Sequence, residues 1–133
     1  MKKIRLIALD VDGTLLDDAK MLPAVNREAL AEASSRGIRI AIASGRMTPT
    51  IDPIQDLLGI DCIVIAYNGG KVLGPREDGR PLIAHRPVPA SVSDAFIEYT
   101  RANGYLLNFY HEDRLYAEDG PRRRPFMEIY SGR

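Results

Sequence analysis

Three short apolar runs, at residues 4–11, 38–43 and 61–66, alternate with two segments of helical periodicity, and no other feature constrains the fold as strongly. The runs have the length of strands. Their nearly unbroken Ile, Val, Leu and Ala content suits strands covered on both faces. Between the first two runs, Val25, Ala29, Leu30 and Ala33 recur at helical spacing, which predicts a helix over 23–36. Pro23 suits its first position and Gly37 its stop. A second helix is predicted from Thr48 or Thr50 to Leu58, ended by Gly59, with Pro49 and Pro53 blurring its start. The order strand, helix, strand, helix, strand, with short connections, predicts right-handed crossovers and a parallel, Rossmann-like α/β sheet.

After residue 70 the pattern changes. Residues 71–74 and 82–86 read as short strands around a turn at 75–81. Residues 90–103 read as a helix closed by Gly104, and 106–110 with 114–117 as a hairpin across His111, Glu112 and Asp113. This is α+β material following an α/β segment. It divides the chain into a core at 1–74 and a second domain at 75–133, with the boundary near 74–87.

The formal net charge is zero, so nothing steers the chain towards nucleic acid or an anionic membrane. The basic run Arg122, Arg123 and Arg124 reads as a solvated loop. The apolar start is cut short by Asp10 and Asp12, unlike a signal peptide. No stretch approaches the ~20 apolar residues of a membrane span. The lone Cys62 opens an apolar run and reads as a buried small hydrophobe, in keeping with a reducing compartment. The expectation is a soluble, cytoplasmic protein.

The chemistry concentrates in Asp10-Val11-Asp12-Gly13-Thr14, at the end of the first apolar run. Open parallel sheets bind ligands beyond the carboxyl ends of their strands. Two carboxylates one residue apart, aimed at a shared site there, repel each other and are costly to desolvate. A cation between them relieves both problems, and oxygen donors beside a phosphate favour Mg²⁺. A carboxylate can also attack phosphorus, while its neighbour protonates the leaving oxygen and later activates water. Gly13 allows the sharp turn that brings Asp12 round to the reacting side. The plain alternative is a polar turn with a helix cap. At the second strand end, Ser44, Gly45 and Arg46 offer a hydroxyl and backbone N–H groups for a phosphate oxygen, or an ordinary helix cap by Ser44 or Thr48. Asn68-Gly69-Gly70 follows the third strand, is a weaker signal, and reads more plainly as a turn.

Together these residues resemble the haloacid dehalogenase-like superfamily, in particular its Cof-type sugar-phosphate phosphatases. The resemblance implies a phosphate-monoester hydrolase working through an aspartyl-phosphate. Asp10 matches the nucleophile and Asp12 the general acid/base. The Asp10 carboxylate and the Asp12 backbone carbonyl match the Mg²⁺ ligands. Ser44 matches the phosphate-binding Ser/Thr, and Gly45, Arg46, Asn68 and Gly69 resemble substrate-side positions of that subgroup. A cap domain entering after the third core strand also fits, and it implies a small phosphorylated metabolite as substrate. Tyr105, Asn108, Tyr110 and His111 are candidates for lining the cap, although His85 and His111 read more plainly as surface residues.

The family's third motif, a Lys, and its fourth, an acidic pair, have no counterpart in this sequence. Lys71 comes too early for that Lys, and Glu118 and Asp119 precede Gly120-Pro121 in a loop-like stretch. The chain is therefore expected to hold the amino-terminal half of such an enzyme and to turn over weakly or not at all. The other reading is a non-catalytic fragment or binding module of the same fold. A half-core leaves residues 4–11 as an edge strand exposing Ile4, Leu6, Ile7 and Leu9, so self-association is expected.

Overall fold

In the computed structural model, residues 3–117 are described. The chain forms two compact units, Met1–Pro87 and Val88–Arg133.

The first unit is built on a five-stranded sheet in the order β1-β2-β3-β4-β5. Its strands are β1 Leu6–Leu9, β2 Arg39–Ala43, β3 Ile63–Ala66, β4 Lys71–Leu73 and β5 Leu82–His85. β1, β2 and β3 are parallel, with Leu9 beside Ile42 and Ile42 beside Val64. β4 runs antiparallel to β3, and β5 antiparallel to β4. The helix α1 (Ala24–Ser35) connects β1 to β2, and α2 (Thr48–Leu58) connects β2 to β3. The sheet is thus a Rossmann-like α/β core with an antiparallel extension.

Helix ends follow local chemistry. Pro23 is the extended N-cap of α1 and not its first helical residue, because its ψ of 138° is a strand value. Gly37 and Gly59 adopt positive φ at the helix stops, a conformation glycine takes without a Cβ penalty. Pro53 is accommodated within α2, on an exposed position.

Both helices face the same side of the sheet. Leu30 of α1 and Ile51, Ile54 and Leu58 of α2 pack in one cluster with Ile40, Ile42 and Val64, and Ile7 and Leu9 lie partly buried against it. Since side chains alternate along a strand, Leu6, Ala8, Ala43, Ile63 and Ile65 point the other way. Leu6 is 49% exposed there, and α1 and α2 both lie on the opposite face. On that face Ala41 is buried and Ala43, Ile63 and Ile65 are half-buried, whereas Leu6 and Ala8 on β1 are exposed, so the expected double cover is incomplete at β1. Of the residues expected to be bare on β1, Ile4 and Leu6 are exposed, whereas Ile7 and Leu9 are half-buried. Among the described strands β1 has β2 as its sole partner, so it is an edge.

The turn between β4 and β5 is tied down on α2. Asp61 accepts hydrogen bonds from the backbone N–H groups of Arg76 and Glu77 and from the Gln55 amide. Arg76 pairs with Asp52 and Asp56, and Arg80 with Asp52.

In the second unit, α3 (Ala90–Ala102) precedes an antiparallel hairpin of β6 (Asn108–His111) and β7 (Arg114–Ala117). The turn is shorter than its sequence indicates: His111 lies in β6 opposite Arg114, leaving Glu112 and Asp113, both at positive φ. Two central residues at positive φ give a type I′ turn, whose twist matches that of the flanking strands. Glu118, Asp119 and Arg122 to Arg124 lie outside the described residues.

Candidate active site

The residues singled out in the sequence lie on three loops, each leaving the carboxyl end of one of the adjacent parallel strands. Asp10 follows β1, Ser44 follows β2, and Tyr67 to Gly69 follow β3.

The first loop winds tightly. Leu15 N–H donates to the Asp10 carbonyl (3.2 Å) and Leu16 N–H to the Val11 carbonyl (2.9 Å). Val11, Leu15 and Leu16 turn into the core, at 0%, 1% and 4% exposure, so Asp10, Asp12, Gly13 and Thr14 face outward. Gly13, at φ +75°, makes the bend. From the first turn of α1, the Asn26 amide donates to the carbonyls of Thr14 (3.3 Å) and Leu15 (3.0 Å) and pins the loop from behind.

The other two loops brace each other. Asn68 N–H donates to the Ser44 carbonyl and Tyr67 N–H to the Arg46 carbonyl, each at 3.1 Å. Tyr67 and Asn68 both hold left-handed backbone, which Asn tolerates far better than Tyr. The Asn68 amide closes over Gly45, where a Cβ would lie 3.0 Å from its Oδ1. A side chain at 45 would make the Asn68 amide give way by a few tenths of an ångström. Gly69 follows at φ +92°.

Neither Ser44 nor Thr48 caps α2. The N-cap is Met47, without a side-chain cap. The Ser44 hydroxyl instead accepts a hydrogen bond from Arg46 N–H (3.2 Å), which leaves its own O–H to donate elsewhere. Ser44 and Thr48 are 7% and 6% exposed, and the Thr48 hydroxyl has no hydrogen-bond partner among the described residues.

Asp10 and Asp12 sit in different electrostatic settings. The Asp10 side chain is exposed, and no described residue hydrogen-bonds its carboxylate. The Asp12 carboxylate is gripped by cations. Arg46 donates Nε to Oδ2 (2.9 Å) and Nη2 to Oδ1 (2.8 Å), and Lys20 donates Nζ to Oδ1 (2.8 Å). The hydrogen bond from Arg46 first, then that from Lys20, holds the Asp12 carboxyl well below the usual carboxylate range. Arg46 was expected on the substrate side. Its guanidinium lies on Asp12.

Lys20, Asn26 and Thr48 carried no functional reading in the sequence. Tyr105, Asn108, Tyr110 and His111 belong to the second unit, where the His111 ring stands edge-on to Tyr116 and 3.9 Å from the Glu112 carboxylate. His85 is exposed on β5.

Comparison with known proteins gives a consistent result. The sequence model described as haloacid dehalogenase-like hydrolase matches residues 7–131. A 5-amino-6-(5-phospho-D-ribitylamino)uracil phosphatase of Bacillus subtilis, YwtE, is 31% identical over 112 residues, covering 84% of this chain and 37% of that protein. The B. subtilis phosphatase YwpJ is 28% identical over 126 residues, covering 95% of this chain and 43% of that one. A solved haloacid dehalogenase-like hydrolase from B. subtilis superposes with a TM-score of 0.81 at 25% identity, over 95% of this chain and 42% of its own. A subclass IIB sugar phosphatase superposes at 0.78 over 96% and 48%; at 23% identity this is a likeness of fold. The chain spans less than half the length of these relatives.

Proposed function

The chain belongs to the haloacid dehalogenase-like hydrolases, and from that membership we propose that it carries the nucleophile-bearing part of a phosphate-monoester hydrolase for a small phosphorylated metabolite. The observation that carries this reading is the contrast between the two acids. Asp10 presents a carboxylate that nothing among the described residues engages, beside an Asp12 held as an anion by Arg46 and Lys20.

In the proposed reaction an Asp10 carboxylate oxygen attacks phosphorus. The ester P–O bond breaks, its electron pair leaves on the substrate oxygen, and Asp12 supplies the proton. Asp12 then takes a proton from water as that water attacks the aspartyl-phosphate, releasing phosphate and restoring Asp10. The Ser44 O–H, free to donate, would hold a phosphoryl oxygen. Arg46 and Lys20 favour the anionic form of Asp12, so the arrangement suits the water-activating step and opposes the protonated form that the first step uses.

The donors fit Mg²⁺. The Asp10 carboxylate and the Asp12 backbone carbonyl are hard oxygen ligands, and Mg²⁺ is commonly held by one or two carboxylates plus substrate phosphate and water. No cluster of three or more His, Cys, Asp or Glu suited to a metal occurs among the described residues, so water and phosphate would complete the shell. Bound there, the ion would neutralise charge on the transferring phosphoryl group. No helix among the described residues is long and apolar enough to cross a membrane.

The test is phosphoryl uptake. The chain is incubated with p-nitrophenyl phosphate or acetyl phosphate and Mg²⁺, quenched in acid and weighed intact by mass spectrometry, with YwtE as the positive control. A phosphoryl adduct lost in Asp10→Asn supports the reading. Absence of the adduct in this chain, alongside uptake by YwtE, supports the second reading, a fold that binds without reacting.

A further inference from the structure

The grip on Asp12 divides its two oxygens unequally. Oδ1 receives both Lys20 Nζ and Arg46 Nη2, whereas Oδ2 receives Arg46 Nε alone. A carboxylate oxygen accepts about two hydrogen bonds in its plane. Oδ1 is therefore filled, and Oδ2 keeps the vacant lone pair. The second cation makes this difference, since a bidentate Arg by itself loads both oxygens equally.

Lys20 is placed for this contact by a turn with no other evident task. Asp17 N–H donates to the Met21 carbonyl and Lys20 N–H to the Asp17 carbonyl, both at 2.9 Å. The Asp17 carboxylate in turn accepts Met21 N–H at 2.8 Å. The turn sets Lys20 at φ +61°, a left-handed backbone that a residue with a long side chain rarely adopts and that glycine adopts freely. A lysine persists at a position whose backbone favours glycine, and its ammonium reaches eight residues back to Asp12.

We propose that Lys20 is a positioning residue: it fixes the Asp12 carboxylate in one rotamer and fills Oδ1, so that Oδ2 is the atom through which protons pass. This deepens the reading of Asp12 as acid/base and rests on it for its catalytic meaning. The geometry of the contact does not depend on that reading. Lys20 acts through Asp12 and touches no reacting atom. Arg46 alone would engage the exposed carboxylate from one side only, leaving the Asp12 side chain free to sample other rotamers and to exchange Oδ1 with Oδ2.

The test uses the whole chain in solution and needs no turnover. The Asp12 side-chain rotamer is read from three-bond couplings to its carboxyl carbon. The Lys20 ammonium is read from its own nitrogen-detected signal, identified by its loss in Lys20→Arg. In the wild type, one Asp12 rotamer and a slowly exchanging Lys20 ammonium are expected. Lys20→Gly keeps or relaxes the backbone of the turn but removes the cation. It is expected to average the Asp12 rotamers, and Lys20→Arg to restore a single one. Asp12→Asn is expected to return the Lys20 signal to that of a solvated lysine. A single Asp12 rotamer in Lys20→Gly, or a Lys20 signal indifferent to Asp12→Asn, overturns the proposal.

The consequence for chemistry is read separately, as the lifetime of the aspartyl-phosphate after removal of the phosphoryl donor. Lys20→Gly is expected to lengthen it by about tenfold or more, within the usual range for a misplaced general base. An unchanged lifetime beside an averaged rotamer would break the link between Lys20 and proton transfer and overturn the catalytic half of the proposal. Failure of the wild type to take up phosphate supports the reading of a fold that binds without reacting and overturns the catalytic half of the proposal for this chain, while the rotamer and ammonium signals still decide the contact.

Discussion

Leu15 is the residue through which the active loop is anchored, and Leu15→Ala tests that anchorage. The side chain is 1% exposed and belongs to the central cluster with Val11, Ile42 and Val64. Truncating a buried Leu to Ala costs about 2–5 kcal/mol, the larger values arising where the surroundings cannot close the cavity. Here they are restrained on both sides. Leu15 N–H is tied to the Asp10 carbonyl and its own carbonyl to the Asn26 amide, so the loop cannot sink inward without breaking hydrogen bonds. The expected loss is in the upper part of that range, about 3–5 kcal/mol. With a urea slope of roughly 1–3 kcal/mol per molar, the unfolding midpoint should fall by at least about 1 M. Leu15→Met, which conserves volume, should cost less than about 1.5 kcal/mol. The measurement is urea unfolding followed by far-ultraviolet circular dichroism. A midpoint for Leu15→Ala within about a tenth of a molar of wild type would show that the loop closes the cavity freely, and the account of it as rigidly pinned would be wrong.

Three further outcomes are expected. The ion pairs of Asp12 lower its folded carboxyl pKa, so their contribution to stability is present above the unfolded value of about 3.9 and is lost as pH falls through the folded value. The stability difference between wild type and Asp12→Asn should therefore be flat above about pH 5 and shrink in acid. It should also shrink with added salt, because these side chains are partly solvated; a difference that grew in acid would contradict the assignment. The Cys62 thiol, 1% exposed and pushed up to about 11 chiefly by burial, should react with a thiol reagent at pH 8 only as fast as the core opens. Labelling as fast as free cysteine would place it outside the core. Finally, we propose that the chain self-associates through β1 and the exposed Leu6 side of the sheet, so light scattering should show mass rising with concentration and Leu6→Lys should suppress it. A charge at Ile7 would be the wrong probe, since that side chain lies against the core. A concentration-independent monomer would show that the face is covered from within.

The strand and helix order was legible because periodicity and helix stops are local. The apolar runs at 4–11, 38–43 and 61–66 need only the sequence, and Gly37, Gly59 and Gly104 all take the positive φ at which helices end. The paired acids were legible for a similar reason, since an apolar strand running into Asp10 and Asp12 is itself the signal. What covers each strand face was not legible. An apolar Leu6 or Ile63 shows what the residue prefers and not whether a partner layer stands above it, and the structure leaves Leu6 exposed and Ile63 half-buried. The supports of Asp12 were also out of reach. Arg46 is 34 residues away and meets Asp12 because β1 and β2 are adjacent. Lys20 and Asn26 act through a turn and a helix start whose geometry no spacing rule encodes.

The position of β1 explains why the site needs so many internal supports. A strand in mid-sheet is held by ladders on both sides, and the loop that leaves it inherits that order. β1 has one described neighbour, β2, and is four residues long, so its register alone cannot fix where Asp10 and Asp12 point. The order comes instead from below and behind: three buried apolar side chains at 11, 15 and 16, two loop-closing backbone hydrogen bonds, and the Asn26 amide. Each holds the backbone of the loop, and none holds a carboxylate. Arg46 and Lys20 add that last degree of order for Asp12 and leave Asp10 without a partner among the described residues. The two acids thus differ for a structural reason, the first left without a described partner and the second held by two cations, a difference that suits the roles in attack and proton transfer proposed for them.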